Sequence, residues 1–260
     1  MITRPRRALL VTLAIAVSAG VTLTAQTVRT PRVADEPTRQ EALRHFRAGQ
    51  ELMSGEQFER AADEFGKAID LDGLLSIAHY QRGQAFMNLR RYASAAKSYT
   101  DCIESLRALD ALRESNRFQA DKLRDDEIRE MRDSIQLLEQ LAAKYPNGGY
   151  ALKATQAEQH LRDLENRRGS VGDTFRPPAE VLLALGSAYF RNGERDAAEA
   201  QWLAAIDANP KLGEAHNNIA VIYMQTGRYQ QAQDELALAE KAGFKVNPQF
   251  KADLKERTKR

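Results

Sequence analysis

Four histidines, one cysteine and a run of carboxylates are the side chains of this 260-residue chain with the most chemistry to offer. His45, His79, His160 and His216 do not pair with one another or with Cys102 at metal-ligand spacing, so no metal site is expected. A single cysteine closes no intramolecular disulfide and builds no cysteine-based metal site. A glycine-rich phosphate loop, a G-x-S-x-G elbow and a Cys–His pair are all lacking. Asp125, Asp126 and Glu127 stand beside Arg124 and Arg129, which reads as a solvated mixed-charge helix face rather than an acid/base pair. The expectation is a protein with no catalytic residues and no cofactor. Lysine plus arginine is 38 against 36 acidic residues, a net charge of +2 that becomes −1 without Arg4, Arg6 and Arg7. Such a near-neutral chain has no electrostatic footprint for nucleic acid.

The elements that would position any site are helical. Glycine (15) and proline (8) are scarce, which disfavours a β-sandwich or barrel. A step of 34 residues takes Gly49 to Gly83, Phe58 to Tyr92, Ala61 to Ala95, Phe65 to Tyr99 and Ala68 to Cys102. The same step takes Gly186 to Ala220, Tyr189 to Tyr223, Ala198 to Ala232, Trp202 to Leu236 and Ala205 to Ala239. Two antiparallel helices approach closely only where side chains are small, so Gly49, Gly83, Gly186 and Ala220 are expected to face Ala61, Ala95, Ala198 and Ala232. Units fall at 42–75, 76–109, 179–212 and 213–246.

This pattern resembles the tetratricopeptide repeat, a unit of two helices that stacks into a superhelical solenoid with a concave inner face. Pro210 stands in the closing position of that repeat; Gly73, Arg107 and Phe244 depart from it. His45, His79 and His216 share one repeat slot, which explains them better than ligation does. The resemblance implies a non-enzymatic scaffold that holds a protein or peptide partner in the groove. It implies a groove lining of Phe46, Arg47, Gln50 and Met53; Tyr80, Gln81, Gln84, Met87 and Asn88; Leu183, Ser187, Phe190 and Arg191; and Asn217, Asn218, Val221 and Met224. The basic clamp by which some members hold a carboxylate is not carried over, because Asn217, Asn218 and Arg47 find no lysine beside them.

Between the two pairs of units, residues 110–178 break the repeat: arginines and other bulky residues fill the slots that must be small. Ile128, Met131, Ile135, Leu138, Ala142 and Tyr145 step by three or four, and so do Ala154, Ala157, Leu161 and Leu164. Pro146-Asn147-Gly148-Gly149 is a turn signal between them. The segment therefore reads as an antiparallel helical hairpin over about 117–144 and 151–167, followed by a loop over 169–178. It is expected either to continue the solenoid as a spacer or to project as a contact arm. Lys122–Asp126, Asp125–Arg129 and Arg129–Asp133 are spaced for ion pairs on its exposed side. The fold class is thus all-α, two pairs of repeats interrupted by a long hairpin.

Residues 1–25 have the basic, apolar and small-residue order of an export signal. Cleavage is expected after Ala25, with Gly20 as second choice and an uncleaved membrane anchor as the alternative. Residues 26–40 read as a flexible linker and 247–260 as a basic capping tail. The expected protein is an exported scaffold of the bacterial periplasm or cell envelope. The alternative is a membrane-anchored structural subunit that presents the hairpin to an envelope assembly.

Cys102 fills the slot occupied by Ala68, Ala205 and Ala239, so it is expected to be buried and slow to react. Cys102→Ala should leave the melting temperature nearly unchanged, and a small thiol reagent should label the native chain only as fast as it unfolds.

Overall fold

The computed structural model describes residues 33–166 and 175–258. The expected signal, residues 26–32 of the expected linker and residues 169–174 of the expected loop lie outside them. The described residues form eleven α-helices and no strand. Units one and two are α1 (Glu36–Ser54) with α2 (Phe58–Leu71) and α3 (Ser76–Asn88) with α4 (Tyr92–Ser115). The hairpin is α5 (Arg117–Lys144) and α6 (Tyr150–Asn166). Units three and four are α7 (Ala179–Arg191) with α8 (Arg195–Ala208) and α9 (Gly213–Gln225) with α10 (Tyr229–Lys241), and α11 (Pro248–Thr258) follows.

Several boundaries differ from the sequence reading for local reasons. Helix α1 begins inside the stretch read as linker, because Asp35 caps it by accepting the Thr38 N–H at 3.0 Å and Pro37 sits in its first turn. Helix α4 runs past residue 109 to Ser115. Asn116 alone joins it to α5: its N–H closes α4 on the Leu112 carbonyl, and its side chain caps α5 by accepting the Gln119 N–H at 3.2 Å. The basic tail is helix α11, seated on α10 with Leu254 buried.

In units one to three the helix pair closes on a glycine. A Cβ on Gly49 would lie 2.5 Å from the Phe65 ring, one on Gly83 2.6 Å from Tyr99, and one on Gly186 2.5 Å from Trp202. The small position therefore faces the aromatic ring itself, with Ala61, Ala95, Ala198 and Ala232 buried alongside. In unit four the flat ring is replaced by Leu236 and the small position is an alanine, Ala220; both are buried. Ring and glycine change together, as expected where volume must be conserved. The turn between paired helices needs one residue in the left-handed region. Gly193 (φ 88°) and Gly227 (φ 77°) supply it in units three and four, whereas Glu56 (φ 57°) and Arg90 (φ 58°) adopt it in units one and two.

The units stack because the second helix of each packs on the first helix of the next: α2 on α3, α4 on α7 and α8 on α9. The contact of α4 with α7 makes the stack continuous across the hairpin. The hairpin thus does not extend the stack as a spacer. Instead α5 lies along α1, and successive contacts climb both helices in the same direction. Arg39 donates to Asp126 at 3.1 Å and to the Leu123 carbonyl at 2.8 Å, Arg47 donates to Glu130 at 2.9 Å, and Gln50 donates to Ser134.

Gly186→Ala should lower stability by about 1–3 kcal/mol through overpacking against Trp202. Adding Trp202→Leu, which copies the fourth unit, should recover part of that loss. A double-mutant cycle from urea unfolding reads the coupling; strict additivity of the two changes would refute the fit.

Candidate functional site

The concave face has two halves with different fates. The hairpin lies over α1, α3 and the first turns of α7, whereas the end of α7 and α9 from Asn217 onward do not line the space beneath it. The cover is held by a polar ladder. Arg39, 1% exposed, is shared among Asp72 at the end of α2, Asp126 on α5 and the Leu123 carbonyl. Glu127, also 1% exposed, accepts from the Ser76 N–H and the Ser76 hydroxyl, each at 2.6 Å. Lys122 pairs with Glu36 across the same seam. Of the carboxylates read as a solvated face, Asp125 is exposed, but Asp126 and Glu127 are buried in this interface, as is Glu130. Lys122 and Asp126 find partners on α1 rather than each other, because α1 brings Glu36 and Arg39 within reach. A trace of this was present in the sequence, since Asp126, Glu130 and Ser134 step by four along one face of α5.

The residues expected to line the groove divide accordingly. Phe46 is not a groove residue: it is buried with its ring centroid 5.7 Å from that of Phe65, part of the core under α1. Gln50, Met53, Tyr80, Gln84, Met87, Leu183 and Ser187 are brought together, but around a cavity beneath the hairpin rather than along an open trough. The cavity measures about 320 Å³, and Met131, Leu137, Leu138, Lys153 and His160 of the hairpin close its other side. Its buried end holds Tyr80, Glu180 and His160, with the rings of Tyr80 and His160 4.9 Å apart. Burial pushes the Tyr80 phenol well above the ordinary tyrosine range, and the nearby negative charges of Glu180 and Glu214 add to it. Burial likewise raises the Glu214 carboxyl. Phe190, Asn217, Asn218, Val221 and Met224 remain on the uncovered half, each half-buried. The Phe190 ring packs 5.5 Å from Trp202, and Asn217 and Asn218 sit side by side with their amides 3.5 Å apart.

The histidines of the shared slot are structural tethers. His45 meets Glu64 and His216 meets Glu235, each through Nδ1 at 2.6 Å. His216 and His79 also reach the carbonyls of Pro210 and Gly73, which close the preceding units. Burial lowers the His79 imidazole. His160, the histidine outside the repeats, belongs to the cavity instead. Among the described residues no group of His, Cys, Asp and Glu is arranged to hold a metal ion, and no helix is long and apolar enough to cross a membrane.

Stacked helix pairs closing on small residues define a helical-repeat solenoid. The tetratricopeptide repeat family model matches residues 46–105 and 183–244, and the chain is a tetratricopeptide repeat protein. Among solved structures it is similar to YrrB, described as a TPR protein with an unusual peptide-binding site (16% identity, 85% of this chain and 95% of that one, TM-score 0.31). It is also similar to PilF of Pseudomonas aeruginosa (16% identity, 80% and 79%, TM-score 0.33) and to MamA of Desulfovibrio magneticus RS-1 (14% identity, 78% and 95%, TM-score 0.29). No curated protein matches the chain.

Burial raises the Glu127 carboxyl to about 7 despite its two hydrogen bonds from Ser76 and the charge of Arg39. An unfolded glutamate ionises near 4.5, so protonated Glu127 favours the fold fully below that value. The advantage is lost as pH rises through about 7. Stability should therefore fall between pH 5 and pH 8 by more in the native chain than in Glu127→Gln, with thermal melts at each pH as the measurement. Identical slopes would refute the assignment.

Proposed function

We propose that this chain is an exported, non-enzymatic scaffold of the bacterial periplasm or cell envelope that holds a protein or peptide partner on the open half of its concave face. The family it belongs to supports binding in general. The observation that carries the particular site is the division of the concave face. The hairpin covers α1, α3 and the start of α7, and the end of α7 with α9 from Asn217 onward lies outside the cavity it makes. There Asn217 and Asn218 each offer donors and acceptors suited to the repeating amides of a backbone. Phe190, Val221 and Met224 offer adaptable apolar contact for side chains. Export rests on the order of residues in 1–26.

A second reading, the hairpin as a contact arm, draws on apolar side chains near its tip. Leu152 is 64% exposed and Tyr145 47% exposed, beside the turn at 146–149. Such residues are costly to leave in water unless something covers them.

Two variants separate the readings. Asn218→Ala with Met224→Ala should weaken capture of a partner from an envelope extract at least tenfold, while the melting temperature stays within a few degrees. Leu152→Ser with Tyr145→Ser should leave that capture unchanged. The opposite pattern would move the site to the hairpin, and an intact Met1 in periplasmic protein would sink signal cleavage.

A further inference from the structure

We propose that the cavity beneath the hairpin is a binding site for a small organic cation with an apolar body, its ammonium group held at the inner end between Glu214 and Glu180. This goes beyond the partner surface on α7 and α9 and does not depend on it. At about 320 Å³ the cavity is at the small end of the range for small-molecule sites. Three of the five methionines of the chain, Met53, Met87 and Met131, come from three different helices to line it. Methionine is the side chain that best adapts to a flexible apolar guest.

Polarity is graded along the cavity. The outer end is marked by exposed Leu137 and by Lys153, whose ammonium lies 5.3 Å from the Tyr150 ring centroid. Lys153 is the sole lysine or arginine among the described lining residues. The inner end has two carboxylates in the first turns of α7 and α9, where the helix N-termini favour negative charge. Burial opposes that charge at Glu214, and an ammonium beside it would offset the lost hydration. Tyr80 lines the same end, with His160 packed on its ring at 4.9 Å. A carboxylate-headed guest would instead meet two like charges.

The same chemistry could reach the cavity as a free amine or as a lysine side chain. Titration calorimetry of the full chain with octylamine, octanoate, octanol and acetyl-Leu-Lys-Leu-amide tests it. Octylamine or the lysine peptide should bind once per chain, at least tenfold more tightly than octanoate and octanol. Glu214→Gln should remove most of that preference without lowering the melting temperature of the unliganded chain. Which of the two ligands binds tells a free amine from a side chain, and either supports the proposal. Absence of binding by both, octanoate binding as tightly as octylamine, or a preference unchanged in Glu214→Gln would overturn it. The comparison of octylamine with octanoate on the unaltered chain decides the matter even if the variant does not fold. No partner protein is present, so failure here would leave the reading of α7 and α9 standing.

Discussion

A guanidinium taken out of water must be fully paired, and the placement of the hairpin turns on that requirement. Arg39 reaches Asp72 in the turn after α2, Asp126 on α5 and the carbonyl of Leu123. One side chain thereby fixes the first helix of the solenoid, the close of its first unit and the height of α5 along the groove. Removing one partner of such a set leaves the others buried and uncompensated, a loss on the order of 3–5 kcal/mol. Replacing the whole set by well-packed apolar residues often costs nothing, so its contribution is better understood as register than as net stability. A slide of α5 by one turn would break Arg39–Asp126, Arg47–Glu130, Gln50–Ser134 and Ser76–Glu127 together.

Legibility in the sequence followed the range of the interactions. The repeat was readable because each glycine and its opposing ring lie 16 residues apart in the same unit, and the relation recurs at a step of 34. The hairpin helices were readable because their apolar stripes are periodic. Where the hairpin lies was not, because its position is set by polar pairs between residues 51 to 87 positions apart, such as Ser76 with Glu127 and Arg39 with Asp126. On α5 those carboxylates alternate with arginines, and that mixture is indistinguishable from an exposed face until the partner helix is known. The binding residues suffered the same fate. Their positions in the repeat were readable, but whether each faces water or a covering helix was not. The burial of Phe46 under α1 and the closure around Tyr80 came from tertiary packing alone.

Burying a groove with part of the same chain changes what each half can do. On α1 and α3 the amide and methionine side chains that would suit a partner now face α5 and α6, and what remains is a partly open cavity rather than a continuous trough. At the end of α7 and on α9, Phe190, Asn217, Asn218, Val221 and Met224 lie outside that volume. Repetition of sequence has therefore not produced repetition of surface. The solenoid carries two chemically different faces on equivalent helices.

The direct packing of α4 on α7 also bears on how the chain folds. Neighbouring units are otherwise joined by about four residues, as between Leu71 and Ser76, whereas Ser115 and Ala179 are separated by the entire hairpin and its loop. For a flexible connection the entropy of closure grows only with the logarithm of its length, by about 0.6 kcal/mol per doubling. Four doublings separate the two connections, so an unstructured insertion would weaken that junction by about 2.4 kcal/mol. Docking of α5 on α1 shortens the effective tether before α7 arrives. On a chain emerging N-terminus first, the first two units and the hairpin can thus assemble into a template on which the second pair is then laid down.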